Sequence, residues 1–266
     1  MKLLSLRTCA VLLLMFGATA QAQERKEPFR AMASATGSYV TGNLGQAQVQ
    51  AMVNLSKSTK KAGYDVIGSA FRMWLRPIPD EPLLRIGDTA AITALPFWYL
   101  GNKPFVLGTA RYERSQLRGI SGRVNGGAAL GVAPVRQEEK LLRVALGAQV
   151  ERTAYAVPDL SPSWVDSTTT RLVPRVTLQS NGWMRLPGTR LSGRYVGGLL
   201  VNPTKAADYR WFLDASADVK IAKQWSFRLA FNGLHDAVNP VGVMPSDMRT
   251  TAGFAWSNKP PGKSPN

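Results

Sequence analysis

A single histidine, His235, and a single cysteine, Cys9, narrow the chemistry open to this chain. A serine hydrolase needs its nucleophile within hydrogen-bond reach of a base. His235 follows Trp225, Phe227, Leu229, Phe231 and Gly233 at alternate positions, the spacing of one strand face. Simple hairpin registry sets it across from about Trp211 and Thr251, with no serine on that face. The sequence therefore predicts no catalytic residue and a protein that is not an enzyme. Metal binding would fall to carboxylates, and these are dispersed; Asp80 and Glu81 fit a solvated loop better than an ion site. No cofactor is expected either, because no helix follows Gly126-Gly127 or Gly197-Gly198 as a phosphate cradle requires.

Charge carries more information. Arg111, Arg123, Arg143, Arg171, Arg175, Arg190, Arg194, Arg210, Lys220 and Arg228 fall on the same strand faces as Asp65, Glu113, Glu151, Asp214, Asp218 and Asp236. Antiparallel neighbours keep a nearly constant sum of residue numbers, fixed by their turn. A turn centred near Thr204 sets Arg190 opposite Asp218 and Arg194 opposite Asp214. One near Lys223 sets Asp218 opposite Arg228, and the same construction places Glu113, Arg123 and Glu151 in a row. Direct neighbours have Cβ atoms about 4.5–5.5 Å apart, close enough to pair. Such charges either bond to each other and close a lumen or line a narrow path that favours small anionic solutes.

The elements that must position these residues are strands. Alternating segments run over 30–41, 44–58, 62–76, 89–100, 103–116, 120–135, 139–156, 169–184, 189–202, 207–222, 224–237 and 247–257, separated by turn-rich breaks. Short breaks such as Gly101-Asn102-Lys103 and Ala222-Lys223-Gln224 take turns with the longer 77–88, 157–168 and 238–246. Short turns at one end and longer loops at the other mark an outer-membrane barrel. On the seventh strand Leu142, Val144, Leu146 and Val150 share one face, and Arg143, Gln149 and Glu151 the other. Tyr39, Trp74, Tyr112, Tyr155, Tyr209 and Trp211 fall near one set of strand ends. Tyr64, Trp98, Phe105, Trp183, Trp225 and Trp256 fall near the other, as two aromatic girdles would. The expected fold is all-β, a transmembrane antiparallel up-and-down barrel of about 12 strands.

The N-terminus addresses the compartment. Lys2 and Arg7, an apolar run from Ala10 to Phe16, and Ala18, Ala20 and Ala22 read as a signal peptide over residues 1–22, cleaved after Ala20 or Ala22. Cys9 lies within it, so a mature chain free of thiols is expected, without disulfides or thiolate ligands. The barrel is expected over 23–256. Residues 257–266, with Pro260, Pro261, Gly262 and Pro265, read as a disordered tail. The formal charge of +16 suits anionic partners such as outer-membrane lipid and lipopolysaccharide phosphate. Nucleic acid is not expected, since no binding module is present.

Arg111-Tyr112-Glu113-Arg114, then Arg123, then Gly127-Ala128-Ala129-Leu130-Gly131, together with Tyr39, Thr41, Gly42 and Asn43, resemble the salt-induced outer-membrane protein family, domain of unknown function 481. The resemblance runs from about Tyr39 to Trp256. Leu44 departs from the small polar residue usual after Gly-Asn, and the chain continues past Trp256. The resemblance implies an outer-membrane barrel inserted by the barrel assembly machinery and brings no catalytic residues. Expected roles are a narrow solute channel or an envelope-stabilising barrel; the competing class is an enzyme that modifies lipid or lipopolysaccharide.

Overall fold

The computed structural model describes residues 29–40, 45–76, 82–137, 139–156, 160–161, 170–240 and 243–258. The expected signal peptide, Asp80, Glu81, residues 41–44 and the tail from Lys259 lie outside the described residues.

Alternation of apolar and polar residues makes strands with two unlike faces, and such strands bury their edges by pairing in a closed ring. The chain forms β1 (Arg30–Val40), β2 (Gly45–Ser58), β3 (Ala62–Arg76), β4 (Leu84–Tyr99), β5 (Pro104–Ser115), β6 (Ile120–Arg136) and β7 (Lys140–Tyr155). The two-residue β8 (Leu160–Ser161) follows, then β9 (Thr170–Arg185), β10 (Leu191–Asn202), β11 (Lys205–Lys220) and β12 (Trp225–Asp236). The short β13 (Asn239–Pro240) and then β14 (Ser246–Ser257) complete the described chain. Twelve strands form one closed antiparallel barrel in chain order, and β1 pairs with both β2 and β14. β8 and β13 pair separately and join two of the long connections.

At the seam Asn258 holds both ends of the described chain. Its Nδ2 donates to Phe29 O at 3.2 Å, and Ala31 N donates to its Oδ1 at 2.9 Å. The described wall ends with β14 at Ser257, and Asn258 ties that end to β1. Gly253 lets the seam close: a Cβ there would lie 2.2 Å from the Ala35 carbonyl oxygen of β1.

The short connections 59–61, 100–103, 137–139, 186–190 and 221–224 share the end that holds Phe29 and Asn258. The other end is where β3 leads to β4, β7 to β9 and β12 to β14, and among the described residues it also carries two tight connections, 116–119 and 203–204. β4 begins at Leu84, not at 89, which shortens the connection before it.

The wall is apolar outside and polar inside. Leu130, Leu146 and Leu172 are 67%, 61% and 69% exposed on the exterior, whereas Arg175, Glu151 and Asp208 are buried within. A small soluble barrel fills its interior with apolar side chains. The reverse pattern is that of a wall set in lipid.

Candidate functional site

The inward positions build two charged layers separated by an apolar waist. The layer near the long loops centres on four carboxylates and the arginines around them. β5 ends at Ser115, and the tight turn 116–119 returns the chain through Gly119 at φ 61°, a left-handed conformation that glycine adopts without strain. This turn tucks Arg118 into the barrel. Arg118 Nη1 donates to Glu113 Oε1 at 2.9 Å and its Nη2 to Asp236 Oδ2 at 2.8 Å. Arg123 Nη2 donates to the same Asp236 oxygen at 2.6 Å, and its Nε to Thr153 Oγ1 at 2.9 Å. Glu151 takes Arg175 at 3.1 Å and also Arg210. Asp208 takes Arg175 and Arg171, both at 2.8 Å, and accepts from Asn202 Nδ2 at 3.1 Å.

Contributors come from β5, the 116–119 turn, β6, β7, β9, β10, β11 and β12, and all but Arg111 and Arg171 at the margin are nearly fully buried. Charges in low dielectric are tolerable only when paired and hydrogen-bonded in this way. Asp236 on β12 reaches Arg123 on β6, five strands away around a ring of twelve, so the network crosses the lumen and does not merely line its wall.

Below it lies a small cavity of about 130 Å³, lined in part by Asn125, Gln149 and Phe212. Ile67, Leu95 and Val196 border this space and also the larger cavity of about 300 Å³ toward the short turns, and so form the waist between them. Phe97, Phe105 and Leu107 pack beside Leu95 as an inward apolar cluster. In the second charged layer Asp218 accepts from Arg228 Nε at 2.7 Å and from its Nη2 at 2.8 Å, and Asp65 lies 3.6 Å from Arg143.

The register corrects several expected partners. Glu113 is opposite Arg123, and Asp218 is opposite Arg228. Arg190 is not opposite Asp218: it lies before β10, and Ser192 takes that place. Arg194 faces Ser216, not Asp214, whose partners are Val196 and Asn232. The cause is the irregularity after Val201, where Asn202 pairs with Lys205 but Val201 pairs with Tyr209. The extra residues on β11 slip the ladder by two, which changes partners but not faces. The β6–β7 ladder is likewise offset, so Arg123 faces Thr153 and Asn125 faces Glu151. Arg123 still reaches Glu151 diagonally, Nε to Oε1, at 3.9 Å. Arg118 is not legible in the sequence because a turn residue carries no alternation, whereas Asp208 keeps the even-numbered inward phase of Arg210 within the expected strand 207–222 and only its partners needed the fold.

The tryptophans also divide. Trp74, Trp98, Trp211, Trp225 and Trp256 lie on outward positions. Trp183 does not: it shares the odd-numbered inward positions of β9 with Arg171 and Arg175 and lines the larger cavity. Phe105 and Tyr155 are likewise buried inside.

On the exterior, His235 faces Trp211 on one side and Ser246, not Thr251, on the other. His235 Nδ1 and Ser246 Oγ are 2.9 Å apart, and the rings of Tyr209 and Trp211 stack against the imidazole. The expectation of no serine beside His235 is thus overturned, because the connection 237–245 brings β14 in several residues earlier than simple registry assumes. Among the described residues no carboxylate bonds to His235, and no three metal-ligating side chains come together.

These features define a closed β-barrel with a lipid-type exterior and a lumen bridged by ion pairs. Residues 33–257 match the family described as "Protein of unknown function, DUF481", and the chain belongs to that family. No curated protein matches it. Among solved structures it is similar to the translocator domain of the autotransporter NalP from Neisseria meningitidis, at 11% identity and a TM-score of 0.44, covering 94% of this chain and 97% of that one. It is also similar to the β-domain of the Bordetella autotransporter BrkA, at 10% identity and a TM-score of 0.36 over 86% and 98% of the two chains. The transport unit of the autotransporter AIDA-I from Escherichia coli is 7% identical, with a TM-score of 0.36 over 94% and 96%. Identities this low between barrels assign no activity to this chain.

Proposed function

We propose that the protein is a non-enzymatic outer-membrane barrel whose lumen is barred at the long-loop end, so that it stabilises the envelope and does not act as an open channel. The observation that carries this reading is the Arg123–Asp236 contact across the lumen, locked on either side by Arg118, Glu113 and Glu151. The exterior apolar band suits bilayer lipid. Arg114 and Arg152, exposed on outward positions near the long loops, suit lipopolysaccharide phosphates. Insertion by the barrel assembly machinery follows from this location, as does export through the signal peptide read over residues 1–22.

The test is reconstitution into planar bilayers. The native protein should give no steady ion current, and Asp236→Asn, which removes the carboxylate charge from the bridge, should introduce one. A native protein with steady conductance would show that the network lines a path and does not close it.

The His235–Ser246 hydrogen bond favours one competing reading, an interfacial lipid hydrolase. That reading requires release of fatty acid from phospholipid or lipopolysaccharide by the purified barrel, abolished by Ser246→Ala. We favour a girdle role, since the imidazole stacks on Tyr209 and Trp211 and lacks a carboxylate to orient it.

A further inference from the structure

The larger cavity lies at the end opposite the ion-pair bridge. It has a volume of about 300 Å³ and reaches the short turns through Thr59, Lys60 and Gln137. Six cationic side chains line it against two carboxylates, Asp65 and Asp218. Both carboxylates are already engaged, with Arg143 at 3.6 Å and Arg228 at 2.7 Å. Arg194 has no carboxylate within ion-pair distance among the described residues. Its guanidinium donates to the sulfurs of Met32 at 3.9 Å and Met52 at 3.8 Å, which are weak acceptors, while Asp65, Asp214 and Asp218 act on it from beyond contact distance. Arg228 Nη2 touches the same Met32 sulfur at 3.0 Å, so donor nitrogens of the two guanidiniums lie within about 7 Å of each other.

A second guanidinium set beside Arg228 adds repulsion and desolvation cost, and the barrel wall gains only two weak bonds to sulfur in return. The arrangement is complementary to an anion that Arg194 can take through charge-assisted hydrogen bonds. Trp183 and Tyr195 form part of the same wall and offer flat apolar surface to an organic body. We propose that this vestibule binds a small organic oxyanion, a phosphate ester or a carboxylate, entering from the short-turn end. Arg194 holds its anionic group beside Arg228, whose Nε and Nη2 stay on Asp218 and whose Nη1 also donates to Ser34, and the aromatic wall holds the rest. This site stands apart from the ion-pair bridge, and it requires neither a conducting nor a barred lumen.

The test is isothermal titration calorimetry on the full-length protein folded in detergent, at fixed ionic strength, with phenyl phosphate, benzoate and inorganic phosphate as probes. One of the organic anions should bind saturably and at least about tenfold tighter than inorganic phosphate, and the tighter of the two identifies the headgroup. Arg194→Gln should weaken that binding about tenfold or more, and Arg194→Lys should recover part of it. Arg190→Gln, at the same end of the barrel but outside the cavity, should leave it unchanged. Each variant is first shown to be folded by its heat-modifiable migration. Absence of saturable binding by either organic anion overturns the proposal, as do equal losses in Arg194→Gln and Arg190→Gln. A conducting native barrel that still binds the probe would overturn only the closed-lumen reading.

Discussion

Arg123 on β6 and Asp236 on β12 meet at 2.6 Å although four strands separate them around the wall. Asp236 also holds Arg118, so one buried carboxylate bridges two guanidiniums from a strand and a turn on the far side of the barrel. Removing one partner of a buried pair leaves its charge uncompensated. Asp236→Ala should therefore destabilise the barrel by about 3–5 kcal/mol. Arg118→Ala should cost less, because Glu113 retains Arg111 and Asp236 retains Arg123. Urea unfolding in detergent, followed by tryptophan fluorescence, ranks the two; the opposite order would show that the bridge does not hold the lumen side chains together.

The slip of the β10–β11 ladder separates Arg190 from Asp218 and leaves Arg228 as the partner of that carboxylate. Arg190→Ala should accordingly change stability by no more than about 0.5 kcal/mol. A double-mutant cycle should show coupling of about 0.5–3 kcal/mol between Asp218 and Arg228 and none between Asp218 and Arg190. Coupling to Arg190 would restore the simpler register centred on Thr204.

Closure of the ring rests on small residues where β14 meets β1. A side chain at Gly253 would collide with the Ala35 carbonyl and the Thr36 backbone. Gly253→Val should thus yield protein that inserts poorly and loses heat-modifiable migration. Gly68→Val on β3, where nothing lies within 4 Å of an added Cβ, should insert as the native protein does. Equal behaviour of the two would place the critical closing contact elsewhere.

Orientation follows from the two unlike ends. A cysteine at Met244, which is 82% exposed in the connection between β12 and β14, should react with a membrane-impermeant maleimide on intact cells. One at Lys223, in the short turn between β11 and β12, should react only after the outer membrane is opened. Labelling of Lys223→Cys alone on intact cells would invert the barrel, and with it the side from which the anion vestibule is entered.

Period-two alternation determined which side chains face the lumen, and it needed no knowledge of the fold. Arg143, Glu151 and Arg228 point inward, and Leu146 and Leu229 point outward, because successive Cβ atoms leave a strand on opposite faces. The punctuation between strands likewise set the number of strands in the wall and separated the short-turn end from the long-loop end. Register was less legible. A bulge adds residues without disturbing alternation, so Arg190 and Arg194 kept plausible faces while their expected partners moved by two positions. Ser246 reached His235 for a related reason: the length of chain between two strands does not state where the ladder resumes.

Only the tertiary structure decided what spans the lumen. Arg118 sits in a turn with no periodicity to mark it, and Asp236 meets arginines more than a hundred residues distant. Which charges meet across the barrel depends on its curvature and its stagger, quantities set jointly by all twelve strands. The same holds for Arg194. Its alternation marks it as inward, but that it rests on Met32 and Met52 and not on a carboxylate follows from where β1 and β2 arrive on the opposite wall. Local sequence chooses a face; ring closure chooses the partner.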